Sequence, residues 1–171
     1  MTATVVGFDV SLARTGWAVL DWETGCLIRC GVIETNPRDP FVERLWDIHQ
    51  GAWAVVDRAL AEAVVADVGL EAGIHRGSGA VTRKLAAAWG AVLMAAGDTT
   101  EIEPDTEHPT PAEVKKLATG KGNATKAQVM AAACERWGSP AADADIADAC
   151  WVAEFVRLSR VGQTGCEGSE G

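Results

Sequence analysis

Before any helical pattern begins, the chain makes three short apolar runs within its first 35 residues. They are Val5-Val6-Gly7-Phe8, Trp17-Ala18-Val19-Leu20, and Leu27-Ile28 with Val32-Ile33 around Gly31. Runs this short, joined by turns such as Glu23-Thr24-Gly25, predict strands and an antiparallel meander. Pro37 and Pro40 end that sheet segment. From Phe41 to about Val65, Leu45, Ile48, Ala52, Val55, Val56, Ala59 and Leu60 then recur at helical spacing, with Gly51 inside the pattern. Val64 to Leu70 reads as a buried strand.

An Ala-rich stretch over roughly 80–96 predicts a helix closed by Gly97. A further strand is expected near Thr100–Glu103. Pro109 and Pro111 introduce a helix through about Leu117, Gly120 to Asn123 is a turn, and a helix follows from Thr125 to about Arg136. Ser139-Pro140 breaks the chain. Asp143 is placed to cap a last helix running to about Arg160. The fold class is therefore α/β, with a five-stranded mixed sheet of three antiparallel and then two parallel strands, flanked by helices. The 171 residues suit one compact domain, expected over 1–160, and the Gly-rich stretch 161–171 reads as a flexible tail.

The mixture of apolar and charged residues excludes a disordered or collagen-like chain. No stretch approaches the roughly 20 apolar residues that a bilayer span needs, so no membrane partner is expected. The start, Met-Thr-Ala-Thr-Val-Val-Gly, has no basic n-region of the kind a signal peptide carries. Five cysteines (Cys26, Cys30, Cys134, Cys150, Cys166) make an odd set without a CxxC pair, which fits reduced thiols in the cytoplasm.

The formal net charge of −9 argues at first against nucleic acid as a partner. The distribution is more informative. Residues 21–71 hold ten acids and four bases, whereas 108–134 hold Lys115, Lys116, Lys121 and Lys126 against the single acid Glu113. Arg76, Arg83 and Lys84 form a second basic group. Such groups either make a local track for phosphates or a solvated face.

Four acids stand out. Asp9 ends the first apolar run, where a carboxylate is costly to bury unless solvated, capped or bound to a cation. It also suits the start of a Ser11-to-Gly16 turn. Glu71 ends the strand Val64–Leu70; if this strand lies parallel to the first, both acids sit at carboxyl ends, where open α/β sheets place their sites. The alternative is an exposed Glu where the chain leaves the sheet. Asp145 and Asp148 share one helix face. The helix dipole accounts for Asp143 and Asp145. It accounts less well for Asp148, because Ala149, Cys150, Trp151, Val152, Ala153 and Phe155 make this helix mostly apolar. Two like charges there repel unless a cation lies between them. Four such carboxylates are what a pair of hard divalent cations needs. Two Mg²⁺ ions ~3.5–4 Å apart activate a water and stabilise the leaving 3′-oxygen of a phosphodiester. Neutralising four acids also brings the effective charge to about −5, which eases the approach of DNA.

Three segments, Val6-Gly-Phe-Asp9-Val-Ser-Leu-Ala-Arg-Thr-Gly-Trp-Ala18, Gly69-Leu-Glu71 and Asp145-Ile-Ala-Asp148-Ala, resemble the acidic motifs of RuvC-type Holliday junction resolvases. Ser11 and Thr15-Gly16 look most like the phage-encoded members. The segment from Pro111 to Val129 is similar to the family's lysine-bearing segment, and the matches together span residues 5–155 in the family's order. The resemblance implies an RNase H-like fold, Mg²⁺ or Mn²⁺ dependence, and a homodimer that nicks two opposed strands of a four-way junction. It assigns Asp9, Glu71, Asp145 and Asp148 as metal ligands, Lys126 as the lysine near the reacting phosphate and Lys115 as the next. Cellular members carry an aromatic wedge three residues after the Glu; here that position is Ile74, followed by His75.

Three other readings compete. A branched-DNA-binding protein that does not cut would lack one of the acids, and all four are present. An actin- or sugar-kinase-type ATPase needs a second related subdomain, for which 171 residues leave no room. Related nucleases acting on flaps or RNA stay open. Trp89, on the helix after Glu71, is a candidate for a dimer or DNA surface.

Overall fold

The computed structural model describes residues 2–71, 79–100 and 108–164, with only the backbone for 161–164. Three strands, β1 (Ala3–Asp9), β2 (Arg14–Asp21) and β3 (Leu27–Glu34), form the expected antiparallel meander, and β4 (Val64–Leu70) joins β1 in parallel. The strand order is β3-β2-β1-β4. β1 is thus central and covered on both faces, which is why its sequence is a continuous apolar run instead of an alternating one.

The sheet has four strands among the described residues, where the sequence predicts five. The segment expected to supply the fifth, Thr100–Glu103, lies outside the described residues except for Thr100. The Thr100 amide bonds the carbonyl of Ala96 at 3.0 Å and so prolongs the preceding helical turn.

Helices α1 (Phe41–Glu62) and α2 (Gly79–Thr99) pack on one face of the sheet, where Val6, Phe8, Val68 and Leu70 meet Ile48, Val56 and Val92 in the main core. α1 ends at Glu62, short of the expected Val65, because β4 already begins at Val64. Gly97 does not close α2. Its φ is not positive, and the helix runs on to Thr99, where the hydroxyls of Thr99 and Thr100 bond the carbonyls of Ala95 and Ala96.

α5 (Ala144–Thr164) covers the opposite face, burying Ala153 and Val156 against Val5 and Leu20. Its start is as read from sequence: Oδ1 of Asp143 accepts from the amide of Asp145 at 3.0 Å. Two glycines let it lie close. A Cβ on Gly7 would stand 2.5 Å from the carbonyl oxygen of Ala149 and the amide nitrogen of Ala153, and one on Gly16 would collide with the backbone of Asp145. α3 (Pro111–Thr119) and α4 (Lys126–Trp137) start with capping boxes, Thr110 with Glu113 and Thr125 with Gln128, and pack against α5. A short 3₁₀ turn (Ser139–Ala142) leads into α5. No helix among the described residues is long and apolar enough to cross a membrane.

Candidate active site

The parallel pairing of β1 with β4 matches Phe8 with Leu70, and the amide of Glu71 still bonds the carbonyl of Phe8 at 3.3 Å. Asp9 and Glu71 therefore leave the sheet side by side at the carboxyl ends of two adjacent strands. α5 approaches this edge with its first turns, held close by Gly7 and Gly16, and brings Asp145 and Asp148 to the same place. Lys126, the first residue of α4, reaches over them: its Nζ is 3.4 Å from Oδ1 of Asp145 and 3.6 Å from Oδ2 of Asp148.

Electrostatics tie the group together. Burial, followed by the charges of Asp148, Glu71 and Asp145, pushes the Asp9 carboxyl well above its ordinary value, with Lys126 opposing. Burial and Asp148 likewise raise Glu71, against the pull of Lys115 and Lys126. Asp148 is raised by burial against the pull of Lys126. Burial works against the Lys126 ammonium, but Asp148, Asp145 and Asp9 outweigh it and hold its pKa above the usual lysine value.

The donor set is four carboxylates, hard oxygen ligands crowded at the cost of mutual repulsion, and it fits a hard divalent cation. Among the described residues no three ligating side chains are already closed around one point. The bridge between Asp145 and Asp148 is made by the Lys126 ammonium. Asp9, Glu71, Asp145 and Asp148 are the residues available to hold metal.

The described basic residues sit on α2, on α3, in the turn after it and on α4. Lys115 stands near enough to Glu71 and Asp148 for its charge to favour both carboxylates. Lys116, one step round the helix, lines a separate groove with Leu117, Phe155 and Leu158. Lys121 is exposed in the turn after α3. Arg83 and Lys84 are exposed on the first turns of α2, and the Lys84 ammonium sits 5.8 Å above the ring of Phe41. Ile74, His75 and Arg76 lie outside the described residues. Trp89, read as a surface candidate, packs against the main core and edge-on to His108 at 4.8 Å.

Two charged groups escaped the sequence reading. Arg14 bonds both Asp143 and Asp145. Glu154, almost wholly buried on α5, pairs with Arg136 at 2.5 Å and Arg157 at 2.8 Å. A charge in the middle of an otherwise apolar helix was the signal for Glu154. For Arg14 no local spacing signals partners that are more than a hundred residues away.

The model of a family described as crossover junction endodeoxyribonuclease RuvC matches residues 5–154. A protein of that name from Nitrobacter hamburgensis is 34% identical over 129 residues, covering 74% of this chain and 72% of its own length. Another, from Afipia carboxidovorans, is 33% identical over 135 residues, covering 75% and 72%. The structure of Thermus thermophilus RuvC in complex with a Holliday junction substrate superposes with a TM-score of 0.73 at 25% identity, over 93% of this chain and 96% of that one. With the same α/β architecture and a match running from β1 into α5, this chain belongs to the RuvC family of crossover junction endodeoxyribonucleases.

Proposed function

We propose that this chain is a metal-dependent, structure-selective endonuclease that resolves four-way DNA junctions by paired phosphodiester hydrolysis. The observation that carries this reading is the convergence of Asp9, Glu71, Asp145 and Asp148 at one edge of the sheet, beneath Lys126. In this reading the four acids hold two Mg²⁺ ions, with Mn²⁺ able to substitute. When bound, such a pair supplies an activated water and stabilises the leaving 3′-oxygen.

The chain's own contribution is placement. Asp9 and Glu71 stand on adjacent strand ends that share a hydrogen-bond ladder, so their oxygens are fixed relative to each other. Asp145 and Asp148 are delivered by a helix whose distance from the sheet is set by glycines. Lys126 has a side chain 59% exposed and a flexible stem, so its ammonium can donate to a non-bridging phosphate oxygen as charge develops there. Lys115 adds positive charge beside the scissile position, and Lys121 meets the backbone farther out.

A four-way junction offers two equivalent strands, which suits a homodimer with one site per subunit. The nuclease domain, expected over residues 1–160, runs on to Thr164 because α5 does, and it works on DNA in the cytoplasm. A protein that holds branched DNA without cutting is disfavoured, because all four acids are present and meet. The test is cleavage of a labelled four-way junction, a flap, an RNA–DNA hybrid and a duplex, with Mg²⁺ and with EDTA. Symmetric nicks in the junction alone, lost in EDTA, are expected. Full cleavage in excess EDTA refutes the mechanism, and preference for the flap or hybrid refutes the substrate.

A further inference from the structure

Arg14 is neither one of the four acids nor part of the lysine segment, yet its guanidinium is spread across three carboxylates. Its Nε donates to Oδ2 of Asp145 at 2.9 Å, its Nη2 to Oδ2 of Asp143 at 2.6 Å, and its Nη1 to Oε1 of Glu34 at 3.2 Å. Asp143 and Asp145 both belong to the start of α5. Asp143 caps the helix through its other oxygen, and Asp145 is one of the four converging acids. One planar fork from β2 thus holds the cap and the acid together, a task for which arginine geometry is suited.

The backbone beneath Arg14 is fixed as well. The Ser11 hydroxyl accepts from the Arg14 amide at 3.0 Å and donates to the Arg14 carbonyl at 2.7 Å. The Thr15 hydroxyl donates to the Ser11 carbonyl at 2.8 Å. The next residue, Gly16, lets the Asp145 backbone lie directly against β2.

This arrangement makes the two oxygens of Asp145 unequal. Oδ2 is held by the fork, whereas Oδ1, among the described residues, has as its partner the Lys126 ammonium, at 3.4 Å on a side chain 59% exposed. We propose that Arg14 is a positioning residue that restricts Asp145 to offering one oxygen to metal, and that it thereby sets a preference of the site for Mg²⁺ over Ca²⁺. The proposal rests on the metal-ion reading above. Mg²⁺ demands near-octahedral geometry at short distances, whereas Ca²⁺ takes more ligands at longer ones and accepts carboxylates through both oxygens. An Asp145 released from the fork can turn and present both oxygens. Ca²⁺ tolerates that and Mg²⁺ does not.

Two variants separate geometry from charge. Arg14→Lys keeps the positive charge, but a single ammonium does not reproduce the fork across Asp143 and Asp145. Arg14→Gln removes the charge too. The readout is the concentration of Mg²⁺, and separately of Ca²⁺, at the midpoint of thermal stabilisation of the DNA-free protein, with circular dichroism to follow the fold. Both variants should need about ten- to a hundredfold more Mg²⁺, the usual cost of losing a group that orients a ligand, with the Ca²⁺ midpoint unchanged or lower. An Arg14→Lys protein with the parent's Mg²⁺-to-Ca²⁺ ratio overturns the proposal and leaves charge alone as the role. Equal weakening for both ions also overturns it, in favour of a general structural role. A parent protein that responds to divalent ions while both variants behave identically to it refutes this proposal only. A parent that responds to neither ion refutes the metal reading and this inference with it.

Discussion

Replacing Gly7 by Ala tests whether the spacing between α5 and the sheet sets the geometry of the four acids. The added Cβ would stand 2.5 Å from the Ala149 carbonyl oxygen and the Ala153 amide nitrogen, and 2.8 Å from the Ala153 Cβ. Two of these are backbone atoms that no rotamer change can move. Ordinary contact begins near 3.4 Å, so α5 must retreat by about 0.9 Å at this level. Overpacking of this kind costs about 1–3 kcal/mol. Asp148 precedes Ala149, so the retreat also draws it away from Asp9. A displacement of about 1 Å at reacting groups costs on the order of 10²-fold in rate. Urea denaturation measures the first effect, and single-turnover cleavage of a labelled junction, at saturating protein and metal, measures the second. Gly90→Ala on α2 is the control: a Cβ there meets nothing within 4 Å, so the helix should gain roughly 0.5–1 kcal/mol. A Gly7→Ala protein with the parent's stability refutes the close-packing argument. One that is destabilised but cuts at the parent rate shows that the retreat does not reach the acids.

Asp148→Asn keeps the shape of the side chain but removes a negative charge from the cluster, so cleavage should fall by orders of magnitude while junction binding persists or tightens; a folded variant cutting at the parent rate removes Asp148 from the site. Lys126→Ala should lower turnover more than affinity, because its proposed role is to meet charge that develops on the phosphate. Lys121→Ala should mainly weaken binding and reduce its salt dependence, by about one unit of slope at most; gel shifts at several salt concentrations, paired with rates, distinguish the two. The Asp9 carboxyl is raised in the folded chain, by burial first and by its acidic neighbours next, so its protonated form favours folding. In EDTA that stabilising contribution is present below about pH 4 and is lost as the pH rises through the raised value. The melting temperature of Asp9→Asn should therefore exceed the parent's by a margin that grows with pH, and a constant margin counts against this account.

The parts of the site visible in the sequence were those where a residue contradicts its local pattern. Asp9 and Glu71 end apolar runs, and Asp148 interrupts an apolar helix face; the structure brings these together with Asp145 and Lys126. The parallel pairing of β1 with β4, on which the placement of Asp9 beside Glu71 depends, stands in the sequence only as a condition, because β2, β3 and α1 all lie between them. Proximity in sequence was a poorer guide to shared surface. Lys115 and Lys116 are neighbours in the chain, but successive residues on a helix face different ways, and only Lys115 acts on the acids. Gly97 looked like a helix stop, yet glycine ends a helix through a positive φ, which Gly120 adopts at the end of α3 and Gly97 does not. Arg14 depends on carboxylates more than a hundred residues away, for which no pattern along the chain exists, whereas Glu154 and Arg157 are three apart on one helix and Glu154 interrupts its apolar run.

The two cations that touch Asp145 differ in a way that suits different tasks. The Arg14 backbone is anchored from below by the Ser11 hydroxyl, and its fork is engaged by carboxylates at 2.6–3.2 Å. Its freedom is already spent, so it holds a position. Lys126 has its backbone fixed by the Thr125–Gln128 capping box, but its ammonium is a point charge on a long stem, at 3.4 and 3.6 Å from its partners and more than half exposed. A side chain held so loosely serves as counter-ion to the acids and, in the proposed reaction, turns toward a phosphate without disturbing α4. An arginine there would favour paired contacts with the carboxylates and resist that turn; a lysine in place of Arg14 would leave Asp145 free to rotate. In the proposed reaction the acidic cluster uses both residue types, a rigid fork from β2 and a loosely held charge from α4.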